Sequence, residues 1–354
     1  MRGRLLSMCS CREEFAPSEN ARSFSYSSPA NVVWELTGEC NAKCKHCYSA
    51  AGKPFKNELT TEEAKSVIDQ LHSVGVFILG FSGGEPLLRN DCPELVSYAS
   101  SKGIVVNVAT NGLLITDNII KKLKKNGLRH LSISIDGASP QVHDSFRQVS
   151  GLFEKAVQVV NLAKQNDLRV NLGFTPTLLN YKEASAMIDL AKHLGVFSLT
   201  MAEYVPTGRG SKEIDLSPIQ WKKLMDFWIE KGKSMKNEPD IRWHNARSVL
   251  LRREHFEKNI TGWGCSAGIT TCKITADGYV TPCALLPIKV GNLRTEQFRE
   301  IWQGSEVFQK IRNRNMRTGK CGRCNNRDVC GGCRAVAYAY TGDYLAEDPR
   351  CWYN

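Results

Sequence analysis

Cys40, Cys44 and Cys47 form a C-x3-C-x2-C arrangement inside the stretch Glu39-Cys40-Asn41-Ala42-Lys43-Cys44-Lys45-His46-Cys47-Tyr48. Three thiolates on one short loop can each hold one iron of a cubane and leave the fourth iron without a protein ligand, whereas a cluster ordinarily takes four cysteines. An iron left open is what a reagent needs if it is to bind the metal. A zinc loop is the competing use of such spacing. A second array comprises Cys265, Cys272, Cys283, Cys321, Cys324, Cys330, Cys333 and Cys351. Eight cysteines are two sets of four, the number that two further cubanes require. Zinc in a ribbon-like fold is the alternative there, because paired C-x2-C is ordinary in such folds. Cys92 falls at a helix start and reads as a small buried residue. Cys9 and Cys11 read as free thiols on a Ser-rich tail over residues 1–28.

These cysteines must be positioned by the rest of the chain. At 354 residues, 42% hydrophobic and 23% charged, the sequence suits a globular protein of two units or one large α/β unit. No run approaches the roughly 18 apolar residues of a membrane span. The N-terminus lacks an apolar core with a small-residue cleavage site. A cytoplasmic monomer without a membrane partner is expected, and its 14 cysteines point to metal rather than disulfides. The net charge of +11 favours an acidic partner, and charge alone does not choose among nucleic acid, an acidic peptide, a flavodoxin or ferredoxin, and a carboxylate-rich small molecule. Lys121, Lys122, Lys124 and Lys125 lack interleaved aromatics. They read as a solvated helix face, not a nucleic-acid site.

Short β-rich runs near 32–37, 76–81, 104–109, 130–135, 169–174 and 196–203 alternate with amphipathic segments near 60–73, 92–102, 116–126, 151–166, 181–193 and 217–236. Thr60-Thr61-Glu62-Glu63 has the look of a capping box, and Gly75, Gly103, Gly127 and Gly195 stand where helices should stop. Six βα units in succession imply a parallel sheet. Residues 237–262 read as a bridge, and 263–354 as a small cysteine-rich unit with short helices.

The cysteine triplet followed by Tyr48 resembles the signature of the radical S-adenosylmethionine (SAM) superfamily. The resemblance implies a partial (β/α)6 barrel over residues 29–236, rather than a doubly wound sheet. It also implies that the open iron of a [4Fe–4S] cluster binds SAM, which one electron cleaves to methionine and a 5′-deoxyadenosyl radical. In a βα barrel the loops after the strands face the active site. Ser82-Gly83-Gly84-Glu85-Pro86 is similar to the family's GGE motif, where the glycines let backbone approach SAM and the glutamate or nearby carbonyls hold its ammonium. A tight turn is the plain alternative. Thr110-Asn111-Gly112 looks like the family's turn near SAM, or a simple helix cap. Ser134 and Arg147 resemble positions that contact the ribose and carboxylate of SAM; a cap and a surface ion pair are the structural alternatives. Arg209, in the loop Glu203-Tyr204-Val205-Pro206-Thr207-Gly208-Arg209-Gly210, is either a substrate-carboxylate anchor or an exposed arginine.

The second array resembles the SPASM extension of radical SAM proteins, with x2 at Cys330–Cys333 where x3 is usual. By that resemblance Cys265, Cys272, Cys283 and Cys333 hold a first auxiliary [4Fe–4S] cluster, and Cys321, Cys324, Cys330 and Cys351 a second. The shortened spacing puts Cys333, and with it the first cluster, in question. Val32-Val33-Trp34-Glu35-Leu36-Thr37 and the ending from Cys330 to Pro349 resemble the haem and haem d1 biosynthesis group. That implies oxidative decarboxylation of tetrapyrrole side chains. Maturation of a ribosomal peptide, or of a redox cofactor made from one, is the alternative. An iron–sulfur carrier or scaffold is the non-enzymatic one.

Overall fold

The computed structural model describes residues 27–235, 239–255 and 264–353. Cys9 and Cys11 lie outside them. Strands β1 (Asn31–Thr37), β2 (Ile78–Gly83), β3 (Val105–Thr110), β4 (His130–Ser134), β5 (Arg169–Phe174), β6 (Ser198–Ala202) and β7 (Asp240–His244) are linked by helices. The helices are α1 (Thr61–Ser73), α2 (Cys92–Ser101), α3 (Asp117–Lys125), α4 (Pro140–Arg147), α5 (Leu152–Gln165), α6 (Ala184–Leu194) and α7 (Pro218–Ser234). The cysteine-rich region follows α8 (Ser248–His255). It contains β8 (Thr271–Ile274), β9 (Tyr279–Thr281), β10 (Gly291–Asn292), α9 (Phe298–Gly304), α10 (Glu306–Arg312), α11 (Gly319–Arg323) and α12 (Arg334–Thr341).

Local chemistry sets these boundaries. Thr60 caps α1 reciprocally: its backbone N–H donates to Glu63 Oε2 at 2.8 Å, and its hydroxyl accepts from Glu63 N at 3.3 Å. Gly195 stops α6 in left-handed backbone at φ 58°.

The ten strands among the described residues form one sheet, ordered β10-β9-β8-β1-β2-β3-β4-β5-β6-β7. From β1 to β7 each strand lies parallel beside the next in sequence. Sequential order with right-handed crossovers puts all the helices on one face. A doubly wound sheet would need the order to reverse. The architecture is therefore the expected barrel-type one, extended beyond six units. Part of the expected bridge is β7, paired with β6. The hairpin before Cys283 is not separate either, because β8 lies parallel against β1, with Trp34 opposite Ile274.

Alternation divides the two faces. Val32, Trp34 and Leu36 of β1, Leu79 and Phe81 of β2, and Leu172 and Phe174 of β5 join the helix-side core. The opposite face is polar: Asn171 donates to Ser132 Oγ at 3.3 Å and accepts from Thr200 Oγ1 at 2.7 Å, while Ser132 donates to Asn107 at 3.2 Å. A polar inner face suits a site for a polar ligand rather than further packing. No helix among the described residues is long and apolar enough to cross a membrane.

Candidate active site

The cluster loop leaves β1 and is held from four sides. Cys40 N donates to Gly52 O at 3.1 Å, and Lys45 N to Phe146 O at 3.1 Å. Gly84 N donates to Thr37 O at 2.8 Å and Glu85 N to Glu39 O at 2.7 Å, which lashes the turn after β2 to the residues before Cys40. A Cβ on Gly84 would overlap the Glu39 carbonyl, and Gly83 adopts φ 115°. The Gly-Gly pair is thus required by the approach of the cluster loop itself.

Several of the expected site residues have partners within the protein. Glu85 is fully buried. It accepts from Thr110 Oγ1 at 2.7 Å and from Asn111 N at 2.8 Å, tying β2 to β3, and burial pushes its pKa up to about 7. Carbonyls of the turn remain for an ammonium. Asn111 donates to Asn41 Oδ1 at 2.7 Å, joining the third βα loop to the cluster loop. Arg147, expected at the SAM carboxylate, is buried against Asp136, with Nε 2.8 Å and Nη2 2.7 Å from Oδ2, while Nη1 lies 3.8 Å from Cys44 Sγ. Arg209, expected as a substrate anchor, donates to Cys44 O at 3.2 Å and Ala51 O at 2.6 Å. Nε and Nη1 therefore clamp the cluster loop, while Nη2 is buried without a hydrogen-bond partner. Ser134 ends β4 on the inner face, opposite Gly173.

Sequence reasoning missed His46, Asp136, Glu35 and Lys273. His46 stacks on Phe146 with ring centroids 4.6 Å apart and sets Nε2 3.6 Å from Asp136. Burial drops its pKa to about 4. Lys273 of β8 pairs with Glu35 of β1 at 3.1 Å, and its ammonium lies 5.7 Å from the Tyr48 ring. Strand alternation was the available signal, because both residues fall on the polar face.

The second array divides in an unexpected way. Cys265, Cys283 and Cys333 share one apolar cluster with Val205, Leu286 and Ile311. Cys333, which the spacing had put in question, belongs there. Cys272 does not. It is fully buried on the helix side of β8 with Ile274, in the main core with Trp302 and Phe308. Period-two alternation turns it away from the polar face. Of the expected first set, Cys265, Cys283 and Cys333 pack together and Cys272 stands apart from them. Cys272→Ala is accordingly expected to leave iron and sulfide content unchanged, whereas Cys283→Ala should lower both. Loss of iron in Cys272→Ala would uphold the four-cysteine set. Cys321 and Cys351 lie with Cys330 around Asp348, whose N–H donates to Cys321 Sγ at 3.3 Å.

The donor sets fit iron–sulfur clusters. All twelve cysteines of the described residues are unpaired thiols. Burial pushes Cys40 to about 11, and Cys283 and Cys330 to about 12, so metal is needed to hold them as thiolates. No three of the described His, Cys, Asp or Glu side chains converge as a single ion would require. A cubane spreads its thiolates over separate irons and does not need that convergence. Buried cations supply the matching charge. Arg334 sets Nη2 3.8 Å from Cys321 Sγ and otherwise donates to backbone carbonyls, and Arg317 donates to the carbonyls of Gly331, Lys310 and Ile311.

Comparison with known proteins agrees. Residues 34–192 match the model of the radical SAM superfamily, and residues 265–333 match an iron–sulfur cluster-binding domain, SPASM. The chain belongs to the radical SAM superfamily and is an enzyme of its SPASM-bearing branch, with a SAM-binding [4Fe–4S] cluster and auxiliary clusters as cofactors. More particularly, it is 38% identical to an AdoMet-dependent heme synthase of Methanosarcina barkeri, over 92% of this chain and 97% of the relative. It is 34% identical to an Fe-coproporphyrin III synthase of the same organism, over 93% and 89%. The fold matches Streptococcus suis SuiB bound to its precursor peptide SuiA, with a TM-score of 0.79 at 17% identity over 92% of this chain and 76% of that one.

Proposed function

We propose that the enzyme oxidatively decarboxylates propionate-type side chains of an iron-porphyrin substrate, with Cys40, Cys44 and Cys47 holding the SAM-binding cluster. The observation that carries this reading is the relation, over nearly its full length, to the heme synthase. When bound, SAM and the clusters supply a radical that takes hydrogen from an unactivated carbon and an acceptor for the electron left behind. In net terms a –CH2–CH2–COO− side chain becomes –CH=CH2, releasing CO2, one hydrogen atom and one electron.

The chain's own residues prepare the space. Tyr48, on the cluster loop, and Lys273 both lie within electrostatic reach of Cys283. The polar inner face thus runs from the first cysteine array to the second. Lys273, paired with Glu35, and Arg209, whose Nη2 has no hydrogen-bond partner, are the cations that a substrate carboxylate would meet there. The basic balance of the chain suits such a substrate, whose carboxylates must be paired if they are desolvated.

Iron-coproporphyrin III incubated anaerobically with the enzyme, SAM and dithionite is expected to lose one and then two units of CO2 plus two hydrogens by mass spectrometry. No mass change, with modification of a co-encoded peptide instead, would move the enzyme to the peptide class.

A further inference from the structure

Arg147 is the end of a charge chain that runs into the cluster loop. Its guanidinium makes two contacts to one oxygen of Asp136, at 2.8 and 2.7 Å, and presents Nη1 to Cys44 Sγ at 3.8 Å. Asp136 is held in turn. Its Oδ1 accepts from Thr175 N at 2.9 Å, and its own backbone N–H donates to His143 Nδ1 at 3.0 Å. Both side chains are buried. The guanidinium and carboxylate form a close buried ion pair, in which each charge offsets the desolvation of the other. One fixed cation and one fixed anion therefore stand in series behind one cysteine of the triplet, the cation nearer.

We propose that this pair sets the reduction potential of the SAM-binding cluster, with Arg147 favouring the reduced form through Cys44 and Asp136 moderating that pull while fixing the guanidinium. This rests on the assignment of Cys40, Cys44 and Cys47 as cluster ligands. Reduction adds one negative charge to the cluster. A cation beside a ligand sulfur stabilises that charge, and in a buried site it is weakly screened. An anion behind the cation opposes it over a longer distance. The electron comes from dithionite, the reductant of the assay above, so no further reductant is invoked.

The two charges make opposite predictions, which a purely structural pair would not. Arg147→Met should shift the midpoint potential of the SAM-binding cluster downward. Asp136→Asn keeps an acceptor beside the guanidinium and should shift it upward. The double variant Asp136→Asn/Arg147→Met removes both charges without leaving either buried alone, and should fall between the single variants. The measurement is a potentiometric titration of the full-length reconstituted enzyme, read by the electron paramagnetic resonance signal that SAM perturbs, with iron content determined alongside. Shifts of the same sign in both single variants, or no shift in either, would overturn the proposal. So would loss of the cluster from both Arg147→Met and the double variant, because the arginine would then be only a scaffold. A wild-type enzyme with no SAM-perturbed signal would instead bring down the ligand assignment on which the proposal rests.

Discussion

Protein with alanine at Cys40, Cys44 and Cys47 is expected to produce no 5′-deoxyadenosine from SAM and to hold about four fewer irons per chain, one cubane's worth. The second array should keep its iron. Its cysteines belong to different elements: Cys265 and Cys283 flank β8 and β9, and Cys321 lies in α11. The folded barrel should survive as well, because Cys44 alone of the three is buried and its carbonyl, not its thiol, receives Arg209. Iron and sulfide assays, Mössbauer spectra and chromatography of the SAM products measure each part separately. Continued SAM cleavage by this variant would remove the foundation of the active-site assignment.

Arg247→Met should be the most destabilising single change away from the cysteines, costing about 3–5 kcal/mol, because it leaves buried carboxylate without its cation. Arg247 is fully buried between Glu203, the residue after β6, and Asp348, 2.5 Å from its Nη1. Glu203 would retain Arg350 at 3.0 Å. Asp348 would be left with the amides of Cys333 and Arg350. Those amides belong to the segment carrying the last auxiliary cysteines, so the damage should spread there. Arg247→Lys should not rescue, because one ammonium cannot fork between two carboxylates. Anaerobic urea denaturation followed by circular dichroism would show the lowered midpoint. An unchanged midpoint would mean that the two carboxylates do not depend on this arginine.

Much of the barrel was legible because its signals are local. The six expected strands fall within two residues of β1 to β6, since apolar alternation and glycine stops act over short spans. β7 escaped because Asp-Ile-Arg-Trp-His reads as a basic linker until β6 is there to pair with it. α4 escaped because it is a short helix opened by Pro140. The thiol spacing of the cluster loop was equally local. The roles of Glu85, Arg147 and Arg209 were not, because a side chain at the end of an element has its partner chosen by whichever loop packs over it. In each case that loop was the cluster loop or its neighbour. The burial of Cys272 was legible too. Thr271-Cys272-Lys273-Ile274 alternates, and a cysteine sharing a face with Ile274 belongs to the core.

The pairing of β8 with β1 bears on how the chain is made. β1 finds β2 soon after it leaves the ribosome, but its other neighbour lies about 240 residues further on, as the register of Trp34 with Ile274 requires. At roughly 5–20 residues per second, that is a wait on the order of 10–50 s. Throughout it, an apolar strand, Val32-Val33-Trp34, has one edge unsealed, which is the kind of edge on which chains mispair. The strand that finally seals it leads through the short strand β9 to Cys283. The nascent barrel is therefore completed only as the cysteine array of the C-terminal region emerges, and iron delivered earlier would meet a half-sheltered cluster loop on an unfinished sheet.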